Sequence, residues 1–168
     1  LGGDDALPNL RTALAMGAER GIQVKISDEA LDSDLTARLL ARVWQDERPD
    51  LFILGKQAVD GDSNQVGQLV AGYLDLPQAC FASKIEVQDG HVLVSREIDG
   101  GIETLELTLP AVVTADLRLN TPRLPTLPNV LKAKRKEIKV LDPSALGVDL
   151  TLKVETTAYE APIQRKGG

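Results

Sequence analysis

Cysteine, histidine and aromatic residues are nearly missing from this chain of 168 residues, which has one Cys (Cys80), one His (His91) and only 3% aromatics. A lone cysteine excludes a disulfide framework, and one Cys with one His excludes a Cys/His zinc cluster. With 43% hydrophobic residues and so few rings, the core must be built from Leu, Val, Ile and Ala. Such a core suits helices packed on a mostly parallel sheet. No apolar run reaches the ~20 residues that span a bilayer, and no signal peptide stands at the start. A soluble, intracellular protein is expected. The chain also has a deficit of positive charge, with a net charge of -6. That argues against a general nucleic-acid binder and leaves any such role to a local patch. The length is enough for one domain spanning 1–168. A start at Leu1 without methionine and an end in Gly-Gly suggest a piece of a longer protein.

What is present falls into two patterns. "LPNLRTALAMGAERG" places Leu10, Leu14 and Ala18 at helical spacing, with Gly17 or Gly21 to close the helix. "IQVKI" reads as a short strand. "SDEALDSDLTARLLARVWQDERPD" has Leu35, Leu39, Leu40 and Val43 on one stripe of an amphipathic helix that Pro49 ends. "DLFILG" is a buried strand, and "SNQVGQLVAGYLDL" a third helix with Ser63 as its cap. The order α-β-α-β-α predicts an open, mostly parallel α/β sheet flanked by helices. From Cys80 to Leu117 the period becomes two, broken at Asp89-Gly90 and Gly100-Gly101, which predicts an antiparallel hairpin insertion. Its last strand, "AVVTADL", is apolar enough to rejoin the main sheet. Strand "EIKVL", a helical turn near "PSALG" and a late strand "LTLKVETTAY" complete the expectation.

The loop "GKQAVDGDSNQVG", Gly55 to Gly67, leaves a buried strand at its C-terminal end and enters a helix. Open α/β sheets bind ligands there, and amide N–H groups at a helix start attract phosphate. Lys56 adds charge, and Ser63, Asn64 and Gln65 add neutral donors. The plain alternative is a strand–helix connection capped by Ser63. Three other readings fail. "GDSNQ" lacks the second glycine of a nucleophile elbow. "DGDSN" has Gln65 and Ala71 where a calcium loop needs Gly and Glu. The spacing is not that of a P-loop. His91 beside a turn reads as a solvated strand residue and Cys80 as a small core hydrophobe. Glu97 and Asp99 share a strand face as ordinary turn-flanking charges. No constellation forms bonds, so the chain is not expected to be an enzyme.

"TPRLPTLPNVLKAKRKEIKV", Thr121 to Val140, brackets Leu124 and Leu127 with Pro122, Pro125 and Pro128. Lys132, Lys134, Arg135, Lys136 and Lys139 then follow within eight positions. A helix from Pro128 stacks Lys132 on Lys136. A solvated helix face is the ordinary explanation of such a run. The prolines restrict φ at three places, so little entropy is lost when the loop binds. That favours a docking peg aimed at an acidic protein surface.

The segments "NLRTALAMGAERG", "GKQAVDGDSNQVGQLVAGYLDLPQACFAS" and "SREIDGGIETLELTLPAVVTADLRLNTPRLPTLPNVLKAKRKEIKVL" resemble the β subunit of electron transfer flavoprotein, from about Asn9 to Lys166. The resemblance implies an adenine-nucleotide-binding α/β fold that holds one structural AMP, with the redox FAD held mainly by an α subunit. It implies a heterodimer that takes electrons from acyl-CoA and other dehydrogenases and passes them to a quinone oxidoreductase. It also implies a bacterial cytoplasmic or mitochondrial matrix location, the bacterial one favoured. Carried over, the AMP loop is Gly55–Val66, with Gly55, Ala58, Asp60, Asn64, Gln65 and Val66 as contacts. Gly61 and Val66 depart from the family's Asp and Thr, which leaves backbone contacts there. The recognition loop falls on 118–136 with Leu127 as anchor and Arg123, Lys132 and Lys136 beside it. Lys132 occupies one of two positions methylated in animal members, and Arg135 replaces the other. The family's first strand and its flavin-proximal residues would lie upstream of Leu1, and a C-terminal helix beyond Gly168. A stand-alone adenine-nucleotide sensor and a nucleic-acid module on the basic helix are the rival readings. The leucine loop counts against the first. Overall acidity and the lack of aromatics beside the lysines count against the second.

Overall fold

The computed structural model describes residues 1–59, 61–158 and 160–161. Eleven helices and strands follow in the predicted order: α1 Leu7–Ala15, β1 Gly21–Val24, α2 Ser33–Glu47, β2 Leu51–Gly55, α3 Val66–Leu74, β3 Gln78–Gln88, β4 His91–Ile98, β5 Gly101–Thr108, β6 Ala111–Ala115, α4 Leu127–Arg135 and β7 Ile138–Leu141. A 3-10 turn at Pro143–Leu146 stands where the helical turn is expected. The fold is α/β, with three of the five strand pairings parallel (β1–β7, β2–β6, β3–β6) and two antiparallel (β3–β4, β4–β5).

The strands do not form one sheet. Five are ordered β2-β6-β3-β4-β5, and β1 pairs with β7 alone. "AVVTADL" does rejoin the parallel strands, as β6 wedged between β2 and β3. Both its faces are buried, as an interior parallel strand requires. Ala111 and Val113 face a cluster with Ala79, Ala82, Val92, Val94 and Leu107. Val112 faces Ala37, Val70 and Ala71 of α2 and α3. Leu35 and Leu39 of the predicted helical stripe pack on Val24 and Leu146, so α2 also covers the smaller sheet. Gly2 makes a parallel bridge to Lys25 on the edge of β1 away from β7.

Several details differ from the expectation. α1 closes at Gly17 (φ 122), and Gly21 instead opens β1. α2 starts at Ser33 because Asp32 caps it, its carboxylate accepting from Leu35 N at 2.6 Å. The second hairpin turns on Asp99-Gly100, since Ile98 pairs with Gly101. The late strand is not there: residues 150–158 make no ladder, and Tyr159 lies outside the described residues. Alternation alone had suggested it. Side chains of α2 take those backbone groups instead. Arg38 donates to the carbonyls of Asp149 and Thr151, and Asp32 accepts from Lys153 N and Val154 N.

Candidate functional site

β2 and β6 run parallel and in register, so Gly55 and Ala115 end side by side. A cleft of about 400 Å³ opens there, lined by Gly55, Lys56, Gln57, Val59, Asp62, Ala115, Asp116 and Leu117. That is the size range of small-ligand pockets, at the strand ends where open α/β sheets hold ligands. The position is set by close packing. Gly67, in the first turn of α3, lies so near β6 that a Cβ on it would stand 2.3 Å from Thr114 Cγ2. Glycine is therefore the residue that lets the first turn of α3 pack this closely on β6.

The start of α3 is open. Ser63 does not cap it: its hydroxyl donates to Gly61 O, and the N-cap is Gln65 without a side-chain cap. The reason lies in the loop. Asp62 and Asn64 both adopt left-handed φ (48° each), so the chain enters the helix only at Val66. The first amides of α3 have no intrahelical acceptor and carry the positive end of the dipole. Gln68 reaches back with its amide to Asn64 Oδ1 at 3.0 Å, while its own Oε1 is buried without a partner.

The charges in the cleft are already paired. Lys56 Nζ lies 2.9 Å from Asp116 Oδ2 and 5.7 Å above the Phe81 ring. Arg118 joins Asp116 at 3.2 Å and Glu97 of β4. The hydrogen bond from Lys56, then those from Arg118, hold the Asp116 carboxyl down to about 2. Gln57 donates to Asp62. The Asp116 carboxylate is thus compensated, Asp62 is hydrogen-bonded to the neutral amide of Gln57, and the uncapped amides of α3 are donors available to an anion.

Among the predicted contacts, Gly55 lines the cleft, Asn64 is half-buried in the loop, and Gln65 is the exposed N-cap. Val66 turns its side chain to the core on Val112, so only its backbone faces the loop. Ala58 is exposed, its carbonyl accepting from Asp62 N, and Asp60 lies outside the described residues. The cleft wall also includes Ala115, Asp116 and Leu117, which lie outside the loop Gly55–Val66 singled out in the sequence. The "AVVTADL" strand was the available signal: once placed beside "DLFILG", its end must meet Gly55 and Lys56.

The second region is α4. It packs on α1, with Leu14, Ala15 and Ala133 buried between them and Val130 and Ile138 at the edge. Leu124, Leu127 and Leu131 point outward, at 90%, 72% and 52% exposure, so none of them is core. Leu127 is the first residue of the helix and Pro128 the second. Among the described residues Lys132, Lys134 and Arg135 are exposed and have no acidic partner. Two expected docking residues are engaged differently. Lys136 donates to Ala18 O at 2.7 Å. Arg123 lays its guanidinium against Gly17, 3.3 Å from where a Cβ would stand.

The chain matches the family described as "Electron transfer flavoprotein domain" over residues 1–146. It is 55% identical over 162 residues to the human electron transfer flavoprotein subunit beta, covering 95% of this chain and 64% of the human one. It is 47% identical over 168 residues to the Bradyrhizobium diazoefficiens subunit beta, covering 100% of this chain and 67% of that protein. It is also 47% identical over 171 residues to the mitochondrial subunit beta of rice, covering 100% of this chain and 68% of that one. The chain therefore spans 64% of the length of the human relative it matches. With residues 1–146 inside the family's own bounds and identities near one half, this chain belongs to the electron transfer flavoprotein family, in its beta-subunit branch.

Proposed function

We propose that the chain is the nucleotide-holding, non-redox portion of an electron transfer flavoprotein beta subunit, working as a heterodimer with an alpha subunit that holds most of the FAD. In this reading residues 1–168 act as one adenine-nucleotide-binding domain with a recognition loop at 118–136. The dimer accepts electrons from acyl-CoA and related dehydrogenases and delivers them to a quinone oxidoreductase, in a bacterial cytoplasm or a mitochondrial matrix. Among the described residues no helix is long and apolar enough to cross a membrane.

The observations that carry the nucleotide half are the cleft at the ends of β2 and β6, with Asp62 of the following loop in its wall, and the uncapped start of α3. In this reading an AMP phosphate is held by those amides, with Gly55 and the backbone of Gly61–Val66 around it. Asn64 and Gln65 supply amide side chains. Lys56 neutralises Asp116 rather than the phosphate, so a phosphate meets that carboxylate already compensated. Bound nucleotide ties α3 to the strand ends, a structural role.

The docking half is supported by Leu127, exposed at the head of a helix that also exposes Leu131 and the cations Lys132, Lys134 and Arg135. Burying such a side chain in a pocket of a dehydrogenase contributes roughly 1.5–3 kcal/mol, and the cations speed encounter with an acidic surface. Acid extraction of the purified full-length protein with its partner subunit tests the first half. One adenine mononucleotide per beta subunit is expected, and flavin without it would overturn the assignment.

A further inference from the structure

We propose that Arg11, on α1, is a positioning residue for the docking helix, capping the C-terminal end of α4 while Lys136 ties that end back to the turn after α1. The inference rests on the docking reading for its functional consequence but not for its geometry.

α4 is nine residues long, too short to be stable by itself in water. Its one buried residue is Ala133, which contributes little apolar area. Lys132 and Lys136 repel each other one turn apart. Something other than burial must fix where it lies. The last carbonyls of any helix lack intrahelical donors, and here Arg11 supplies them. Its Nη1 donates to Ala133 O at 2.7 Å and to Lys136 O as well. The return contact comes from α4, where Lys136 Nζ donates to Ala18 O, just past the end of α1. Arg11 thus sets a cation against the negative end of the α4 dipole, and Lys136 ties the end of α4 to the turn that follows α1.

The loop entry is tied to the same place. Gly17 takes φ 122, a conformation that side chains rarely adopt, and Arg123 lies over it. Arg123 before the helix and Lys136 after it are therefore both seated on the turn that ends α1. Leu124, Leu127, Leu131 and Lys132 project between these two fixed points. Cations at 123 and 136 anchor the segment, and cations at 132, 134 and 135 face outward. Both bonds leave the one Nη1, whose N–H directions the planar guanidinium holds fixed, whereas those of an ammonium rotate freely. The order of the exposed leucines then depends on Arg11, which no partner needs to touch.

The test uses the full-length protein with its partner subunit and compares wild type, Arg11→Met, Arg11→Lys, Leu127→Ala and Arg11→Met with Leu127→Ala. Hydrogen exchange reads the amides of Val130–Arg135. Steady-state transfer from an acyl-CoA dehydrogenase reads KM and kcat. Arg11→Met should speed exchange across α4 about tenfold. It should also raise the KM for the dehydrogenase about threefold to tenfold, leaving kcat at saturation unchanged. Arg11→Lys should recover only part of both. In the Leu127→Ala background the KM effect of Arg11→Met should vanish, because both act through one contact. Unchanged exchange in α4, or a KM effect that simply adds to that of Leu127→Ala, would overturn the proposal. If Leu127→Ala by itself leaves KM unchanged, the docking reading fails, and the exchange result still decides the clamp.

Discussion

The cleft beside α3 and the face of α4 are both candidate contact regions, yet they are built in opposite ways. The cleft is concave and rests on buried strands. Its charged side chains have partners before any ligand arrives: Lys56 and Arg118 pair with Asp116, and Asp62 accepts from the neutral amide of Gln57. α4 is convex, has one buried residue, and presents leucines and cations with no partners among the described residues. The difference separates the two kinds of binding. A small anion is captured by fixed backbone donors, and any loose side-chain charge nearby would blur the selection. A protein surface is met by side chains that water and salt still reach, where desolvation on contact supplies the affinity.

The packed region should break most easily. Gly67→Ala would place a methyl 2.3 Å from Thr114 Cγ2. Thr114 is 1% exposed and its hydroxyl accepts from Phe81 N at 3.1 Å, so it cannot rotate away freely. Overpacking plus a weakened hydrogen bond should cost about 2–4 kcal/mol, about 2–4 °C of melting temperature per kcal/mol, with loss of bound nucleotide. Adding Thr114→Ser removes the clashing methyl and keeps the hydroxyl, so melting and nucleotide content should largely return. A single variant that melts like wild type would mean that α3 does not depend on this close approach.

Leu127→Ala should behave in the reverse way. Thermal melting should barely move, because the side chain is already 72% exposed. Docking should weaken about tenfold to a hundredfold, read as KM for a partner dehydrogenase. A melting drop of many degrees would show that the leucine is structural.

The elements that depend on local periodicity were legible in the sequence. Leu35 and Leu39 fall on the buried stripe of α2, and the alternation from Cys80 onward does form hairpins. Features that depend on distant pairing were not. The wall formed by Ala115 and Asp116 comes from β6 lying beside β2, a neighbour about 60 residues earlier in the chain, and turn chemistry says nothing of that. The false strand at 150–158 shows the same limit from the other side. Its alternating Leu150, Leu152 and Val154 have no sheet edge to meet, and α2 side chains take its backbone groups. In the basic run, sequence spacing counted five equal cations. Only packing shows that Lys136 is tied to Ala18 O beside α1.

A smaller effect is expected at Asp116. Its carboxyl is held at about 2, chiefly by the hydrogen bond from Lys56, against an ordinary value of 3.8. The folded state therefore releases this proton more readily than the unfolded state. The resulting stability is full above pH 3.8 and is lost as the pH falls through 2. Asp116→Asn should remove that part of the acid dependence, so wild type should lose stability more steeply than the variant between pH 4 and 2. Parallel curves in acid unfolding would mean that the Lys56 contact does not persist in solution.

The smallest effect, and the one that divides the basic run most sharply, concerns its outward members and Lys136. Lys132 and Lys134 are solvated, so their attraction to an acidic partner acts across water and is screened within about 8 Å at physiological salt. Changing both to Gln should lower the association rate with a dehydrogenase a few-fold at low salt, leave dissociation nearly unchanged, and have no effect once salt is raised. Lys136→Gln is the control, because it removes one charge of the same sign four residues along. Its ammonium is engaged by Ala18 O at the surface. The loss should therefore appear as faster amide exchange in α4 and faster dissociation, and added salt should not erase it. Stopped-flow association at two salt concentrations separates the two. If Lys136→Gln shows the same salt-sensitive slowing as the outward pair, then Lys136 faces solvent and the run is a uniform cationic patch.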